Sequence, residues 1–285
     1  MNLLTLTFIY LLLFAGLQTQ LSASPVIDDT ALEEKFASGL TAPGVDGISG
    51  ESAIAALAKA EGKKSEAAEA KTDAGIGYEQ TCQSVVVVGS VDFCKECNKS
   101  HMGAVSTGWV VDPRGRIVTN YHVLEDKEAE ELGIMTFDGA VYPVRAVVAA
   151  DREGDAAIVE VDTGGTALPA LPVAAGAKTG ERIRVVGHPD GRFYSLTEGI
   201  VSRVFSQGTS DGKERRSWLT VTADYGGGSS GAPVLNDAGE VVGMVSSTAT
   251  LLADPEDGKE PEAADVQMVF RDCVSVETMR RLLAE

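Results

Sequence analysis

The sequence predicts an all-β domain, a barrel or a sandwich, over the last two thirds of the chain. Short segments rich in Val and Ile recur from Cys82 onward, and turn signals such as Asp112-Pro113-Arg114-Gly115 separate them. About ten such segments with almost no helical periodicity are typical of barrels and sandwiches. The segments are SVVVVGSV, GWVV, RIVT, VYPVRAVVAA, AAIVEV, RIRVVG, TEGIVSRVF, SWLTVTA, APVL and EVVGMVSS.

A helix is predicted after the last of these segments, in SVETMRRLLAE. Ser275 can cap its N-terminus, and Val276, Met279 and Leu283 then share one face.

The charge of the chain restricts its partners. Its 285 residues carry a formal net charge of −18, whereas a nucleic-acid partner requires a basic surface. The same acidity disfavours an anionic membrane surface, so we expect neither nucleic acid nor a stable membrane partner. We interpret the acidity as a contribution to solubility.

The N-terminus predicts export. Residues 3–17, LLTLTFIYLLLFAGL, contain no charged residue and are too few for a comfortable transmembrane helix. We therefore expect a signal peptide over residues 1–23, cleaved after Ala23, and a secreted or periplasmic protein. Because no Lys or Arg precedes the apolar run, a retained membrane anchor is the alternative.

Residues 24–79 differ in composition from the rest of the chain. They are rich in Ala, Gly, Glu, Lys and Asp, and an amphipathic helix is predicted through Ile54, Leu57 and Ala58. The segment has too little branched and aromatic bulk for a core of its own. We expect a partly helical spacer or pro-region, loosely attached to the domain over residues 80–285.

A glycine-rich loop carries the candidate nucleophile. Gly228-Ser229-Ser230-Gly231-Ala232-Pro233 matches the form G-x-S-G-[GA]-P, in which the second serine reacts. A serine hydroxyl needs a base and donors for the oxyanion, and in this form the N–H groups of Gly228 and Ser230 are the donors.

The chain offers few candidates for the base. Of its three histidines, His122 directly follows the strand RIVT, whereas His101 lies in a loop and His188 in a turn, where we expect a surface residue. Asp155 stands immediately before the strand AAIV. A carboxylate there can accept the far N–H of the imidazole and fix its tautomer.

Four segments together carry a family resemblance. GWVVDPRGRIVTNYHVL, DREGDAAIVEVD, GHPDG…LTEGIVS and DYGGGSSGAPVLNDAGEVVGMVSS follow, in order, the motifs of trypsin-like serine peptidases. The sequence most closely resembles the HtrA/DegP-like protease domain, over about residues 80 to 285. The resemblance implies two six-stranded antiparallel β-barrels with a short C-terminal helix and an active site between the barrels.

The resemblance also implies the chemistry. Ser230 would be the nucleophile, His122 the general base and acid, and Asp155 the orienting carboxylate of a serine endopeptidase. Protein or peptide substrates and a role in protein quality control are implied, with no cofactor and no metal in the site. A catalytically silent binding module that keeps the barrels and uses the cleft is the alternative.

Departures from the family pattern are few. Ser229 replaces an aspartate of the digestive members, Ala232 replaces a glycine, and no PDZ domain is expected after Glu285.

The substrate pocket is implied at Asp224, Ser246 and Ser247. Two roles for Asp224 stay open: selection of Arg or Lys before the scissile bond, or a structural acid bonded to backbone N–H groups. HtrA-like members prefer small aliphatic residues instead.

The cysteines are Cys82, Cys94, Cys97 and Cys273. An even number in an exported chain predicts disulfides. The alternative is a zinc site, because Cys94-x2-Cys97-x3-His101 also has the spacing of metal ligands, and Cys82 or Cys273 would supply the fourth ligand.

Overall fold

A computed structural model describes residues 24–66, 77–253 and 266–284. The predicted signal peptide, residues 1–23, lies outside the described residues. Among the helices of the described segments, none combines the length and the apolar character needed to cross a membrane.

The described residues form two closed antiparallel barrels of six strands each, which confirms the fold class. The first barrel has the strand order β1-β2-β3-β6-β5-β4. Its strands are β1 (Val85–Cys94), β2 (Lys99–Asp112), β3 (Arg116–Thr119), β4 (Glu131–Met135), β5 (Val141–Asp151) and β6 (Ala156–Val161).

The second barrel has the order β10-β11-β12-β9-β8-β7. Its strands are β7 (Arg182–Gly187), β8 (Ser195–Gly208), β9 (Arg215–Val221), β10 (Pro233–Leu235), β11 (Val241–Leu252) and β12 (Val266–Ser275).

Strand β1 begins with four consecutive valines because both of its faces are covered. Val86 and Val88 point into the core of the first barrel, and Val85 and Val87 point outward into a second cluster. Side chains alternate between the faces of a strand, so an unbroken apolar run requires a covering layer on each side.

N-terminal helices supply that outer layer. They are α1 (Asp29–Leu40), α2 (Gly50–Ala60) and α3 (Tyr78–Ser84). Phe36 and Leu40 of α1 pack on the outward valines, and Leu57 of α2 joins the core cluster of the first barrel. The expected loose attachment of this segment is therefore wrong. Its few large side chains build no core alone, but they complete that of the barrel.

The predicted amphipathic helix is present as α2, with a shifted face. Ala53, Leu57 and Ala60 are buried, whereas Ile54 and Ala58 are exposed. Leu57 was predicted correctly, and the spacing of small alanines determines the buried side.

Strands β4 and β12 were not predicted. In β4, Gly133 lies against Leu40 of α1, and any side chain at this position would collide with that leucine. The close approach of a helix explains the glycine, which weakened the strand signal in the sequence.

The predicted C-terminal helix is confirmed but short. The Ser275 hydroxyl accepts the Glu277 N–H at 3.2 Å and caps α4 (Val276–Met279), which continues as one 3₁₀ turn. Leu282, rather than Leu283, is fully buried beside Val276 and Met279.

The barrels share an apolar interface. Trp109, Val118 and Ile158 of the first barrel lie in one cluster with Leu235 and Met244 of the second. This packing fixes the barrels against each other and positions the loops that meet at the seam.

Candidate active site

His122 and Asp155 come together because their strands are neighbours. His122 opens a 3₁₀ turn just after β3, and Asp155 occupies the turn before β6, the strand paired with β3. His122 Nδ1 lies 2.9 Å from Asp155 Oδ1 and 3.0 Å from Oδ2. The His122 backbone N–H also donates to Oδ1, at 3.2 Å. The two groups therefore form the oriented pair that was predicted.

The carboxylate perturbs the imidazole. The hydrogen bond to Asp155 raises the pKa of His122, and partial burial opposes that effect. Glu125 adds a smaller contribution that also raises this pKa. The cationic form of His122 is thus favoured relative to a free imidazole.

Asp155 is itself held in place from both barrels. The Asn120 side-chain amide donates to the Asp155 carbonyl at 2.9 Å, and the Ser246 hydroxyl donates to Oδ2 at 2.6 Å. Asp155 adopts a left-handed conformation with φ +47°. These contacts fix an uncommon backbone conformation for a residue other than glycine.

Ser230 lies in the loop before β10, and the first barrel fixes that loop. The Thr107 N–H donates to the Ser230 carbonyl at 2.8 Å, and the Thr107 hydroxyl donates to the Gly228 carbonyl at 2.9 Å. Gly231, at φ +87°, packs so tightly on Thr107 that a Cβ would clash with its carbonyl. Both the positive φ and the lack of space for a Cβ require glycine at this position.

The two serines of the loop have different environments. Ser229 is almost completely buried, whereas Ser230 lines a surface cleft. The geometry therefore agrees with Ser230, rather than Ser229, as the accessible hydroxyl.

The oxyanion donors expected from the sequence are the N–H groups of Gly228 and Ser230. The Asp190 N–H donates to the Gly227 carbonyl at 2.7 Å. The peptide bond that joins Gly227 to Gly228 is trans. Because C=O and N–H of a trans peptide point in opposite directions, the Gly228 N–H points away from Asp190. Within the described residues, neither the Gly228 nor the Ser230 N–H donates a hydrogen bond. Both predicted donors are available.

The Ser230 hydroxyl does not contact the base in this structure. It donates a long hydrogen bond to the Ser246 carbonyl, at 3.5 Å, and within the described residues none to His122. Catalytic hydrogen bonds are often long or misaligned without substrate.

The cleft beside Ser230 is small, about 140 Å³. It is lined by Tyr225, Gly226, Gly227, Ser230, Val245, Ser246, Ser247 and Thr248. The Tyr225 hydroxyl lies 3.0 Å from the carbonyl oxygens of both Ser247 and Asp272, which anchors the ring in the cleft. Two predicted pocket residues, Ser246 and Ser247, do line it.

Asp224 does not line this cleft. Its carboxylate pairs with Arg271 at 2.5 Å, and its side chain is 79% exposed. The hypothesis that Asp224 forms the acidic floor of the substrate pocket is therefore wrong. Tyr225, and not Asp224, lines the cleft beside Ser230. Within the described residues, the Asp224 carboxylate accepts no hydrogen bond from a backbone N–H group either.

A larger cavity of about 460 Å³ adjoins His122. Tyr121, His122, Glu125 and Arg152 line it, and Arg152 Nη2 lies 3.4 Å from Glu125 Oε1. A substrate side chain in this cavity would contact both the Glu125 carboxylate and the Arg152 guanidinium group.

His188 is not the surface residue expected. It is completely buried, and its Nδ1 accepts the Tyr194 N–H at 3.0 Å. Burial lowers the pKa of His188 to about 3, so it is neutral at physiological pH. The ring supports the turn next to Gly228 instead of taking part in proton transfer.

The expected disulfides are not found. All four cysteines are free, and Cys82 and Cys273 are buried in separate clusters. Burial raises the pKa of Cys82 to about 11 and that of Cys273 to about 12. Both therefore act as small apolar side chains.

The other two cysteines could hold a metal. Cys94, Cys97 and His101 meet at the tip of the β1–β2 hairpin, with Cys97 Sγ 2.9 Å from His101 Nε2. This cluster is remote in sequence from the catalytic candidates.

Sequence reasoning missed Asn120, Thr107 and Tyr225. Asn120 stands two residues before His122, a position that could have suggested a supporting role. Thr107 lies in an ordinary strand, and its contact with the nucleophile loop depends on how the barrels dock.

Comparison with known proteins agrees with the geometry. Residues 106–244 match the family model described as a trypsin-like peptidase domain. The fold, the site and this match define the class: the chain carries a trypsin-like peptidase domain and is homologous to serine proteases of the HtrA, Do and DegS type.

Particular relatives share about 30% identity with the chain. Serine endoprotease DegS of Escherichia coli (strain K12) is 29% identical over 178 residues, which are 61% of this chain and 47% of that protein. Protease Do-like 1, chloroplastic, of Arabidopsis thaliana is 30% identical over 142 residues, 48% of this chain and 32% of that protein. Protease Do-like 5, chloroplastic, of the same plant is 27% identical over 194 residues, 61% of this chain and 59% of that protein. The chain thus spans less than two thirds of the length of each of these relatives.

Proposed function

We propose that the protein is a serine endopeptidase that cleaves peptide bonds through Ser230, His122 and Asp155. The observation that carries the proposal is the 2.9 Å contact between His122 Nδ1 and Asp155, at the seam that also holds the Ser230 loop. An aspartate in that position keeps the proton on Nδ1 and leaves Nε2 as the base.

The reaction follows from these groups. His122 Nε2 takes the Ser230 proton as the oxygen attacks the scissile carbonyl, and the Gly228 and Ser230 N–H groups bind the resulting oxyanion. His122 then protonates the leaving amine, which breaks the C–N bond and leaves an acyl-enzyme. Water, deprotonated by the same imidazole, hydrolyses the ester. Asp155 stabilises the imidazolium that forms in each step.

One observation favours the alternative, a catalytically silent binding module. The Ser230 hydroxyl donates to the Ser246 carbonyl and not to His122 among the described contacts. A protein that held this arrangement permanently would bind peptides without cutting them.

Labelling with a fluorophosphonate distinguishes the two functions. This probe phosphonylates a serine that a base activates, forming a P–O bond and releasing fluoride, so the endopeptidase model predicts labelling of the wild type and none of Ser230→Ala or His122→Ala. Ser229→Ala is the matched control, because it removes the neighbouring hydroxyl and should keep labelling.

An unlabelled wild type that still binds peptides would support the silent module. Labelling lost in Ser229→Ala and kept in Ser230→Ala would overturn the assignment of the nucleophile.

We also propose that unfolded protein is the substrate class, as expected for quality control. The cleft of about 140 Å³ beside Ser230 suits small apolar residues, which folded proteins bury. Digestion of one substrate protein in folded and destabilised forms tests the proposal. Equal rates for both forms would contradict it.

Export is proposed from the apolar run of residues 3–17. N-terminal sequencing of the protein from its natural host should find Ser24 first. Material that begins at Met1 and remains with membranes would support the retained anchor instead.

A further inference from the structure

The tip of the first hairpin gathers three metal-ligating side chains on one side. Strands β1 and β2 pair Asp92 with His101 and Cys94 with Lys99. Directly paired residues share a face of the hairpin, as do residues two apart on one strand. Cys94 and His101 therefore project from the same face, and Cys97 lies in the turn that joins the strands.

The distances suit one small ion. The ligand atoms of Cys94, Cys97 and His101 all lie within 4.8 Å of one another. A tetrahedral zinc ion has Zn–S of about 2.3 Å and Zn–N of about 2.0 Å, so its ligand atoms stand roughly 3.5–4 Å apart. Small rotations of exposed side chains would complete this geometry, because no backbone movement is required to bring the three atoms together.

The donor set selects the kind of metal. Two thiolates and one imidazole are soft or intermediate ligands, which favour zinc over calcium or magnesium. Two thiolates also balance the charge of a divalent ion.

The cluster is accessible to an ion from solution. Cys97 and His101 are exposed and Cys94 is partly exposed. Three protein ligands leave a fourth position, which water can occupy at this exposed place. The same three residues take no part in the contacts of His122, Asp155 or Ser230.

We infer that Cys94, Cys97 and His101 form a zinc-binding site that fastens the end of β1 to the start of β2. Binding displaces the thiol protons and forms two Zn–S bonds and one Zn–N bond, with no change of oxidation state. The inference is independent of the proteolytic function, because none of its ligands belongs to the catalytic loops.

Metal content and Co²⁺ spectra test the inference. The full chain, purified with a reducing agent and without chelator, should contain about one zinc ion per chain. Elemental mass spectrometry measures this ratio. Replacement by Co²⁺ should produce the intense thiolate-to-metal absorption of a tetrahedral site. Cys94→Ser, Cys97→Ser and His101→Ala should each lose stoichiometric metal.

Two variants are matched controls. Lys95→Ala changes an exposed residue of the same turn, and Cys82→Ala removes a buried thiol elsewhere; both should keep the metal. Thermal melting of every variant shows whether metal loss follows from unfolding. Reduced wild type without zinc, equal zinc in the ligand variants, or a Cys94–Cys97 disulfide that forms in place of the complex would each overturn the inference.

Discussion

Thr107 of the first barrel donates its N–H to the Ser230 carbonyl and its hydroxyl to the Gly228 carbonyl of the second barrel. Its hydroxyl also accepts the His188 N–H at 3.2 Å. The buried Thr107 side chain thus links the Gly228 carbonyl to the turn at His188, and the Thr107 backbone holds the Ser230 carbonyl. The backbone on either side of the nucleophile is therefore held by the opposite barrel.

Thr107→Val should reduce kcat more than it raises KM. The substitution keeps the shape but removes one donor and one acceptor, which leaves buried groups unpaired at a cost of about 1–3 kcal/mol. Steady-state kinetics with a peptide substrate, together with urea unfolding, measures both effects. Thr107→Ser restores the hydroxyl and should recover most activity. Equal kcat for wild type and Thr107→Val would show that the contact does not position the loop.

The pH dependence should reflect a raised His122 pKa. His122 acts as base only when neutral, so kcat/KM should rise with pH and level off above the pKa of this histidine. Asp155 raises that pKa, and the rising limb should therefore lie above the ~6.5 of a free imidazole. In Asp155→Asn the midpoint should move to lower pH, and kcat should fall on the order of 10⁴-fold.

Proton NMR of Ser230→Ala offers a direct check on that prediction. The chain has three histidines, and buried His188 should not titrate above pH 5, whereas His122 should. A His122 midpoint below the ~6.5 of a free imidazole would contradict the prediction.

Tyr225 should determine which residue precedes the scissile bond. Its ring occupies the cleft beside Ser230, so Tyr225→Ala should raise kcat/KM for large residues such as Leu or Phe relative to Val or Ala. Tyr225→Phe keeps the ring and should keep the preference. Profiling with a peptide library measures all three proteins.

Asp224→Ala serves as the control for that profile. The Asp224 carboxylate faces Arg271 outside the cleft, so its removal should leave the preference unchanged. A strong preference for Arg or Lys that Asp224→Ala abolished would show that the acid does contact substrate.

Leu57→Ala should destabilise the protein by about 2–5 kcal/mol, because it opens a cavity in the core of the first barrel. Ile54→Ala, one turn earlier on the exposed side of α2, should change the free energy of unfolding by no more than about 0.5 kcal/mol. Urea denaturation compares the two. Similar small values would mean that α2 is only loosely attached.

Local patterns sufficed for most of the barrel strands and for the pairing of His122 with Asp155. The outward valines of β1 were visible as a run, but the sequence did not show that Phe36 and Leu40 cover them, because that contact joins segments far apart in the chain. Strand β4 was not predicted for a similar reason. Gly133 weakens its strand pattern, and the contact with Leu40 that explains this glycine joins distant segments.

The side chain that lines the cleft beside Ser230 was harder to predict. Asp224 and Tyr225 are adjacent, and only the path of the loop determines which side chain enters the cleft. Likewise, the burial of His188 depends on packing by Tyr194 and not on its own turn motif.

The division of the site between barrels has a consequence for synthesis. The ribosome makes the first barrel, with His122 and Asp155, before the loop of Ser230 and before β12, which closes the second barrel. Domains fold in the order in which they emerge, N-terminal first. On the proposed mechanism, a nascent chain therefore holds His122 and Asp155 before Ser230 is in place, and it should not cleave peptide bonds until the second barrel has closed.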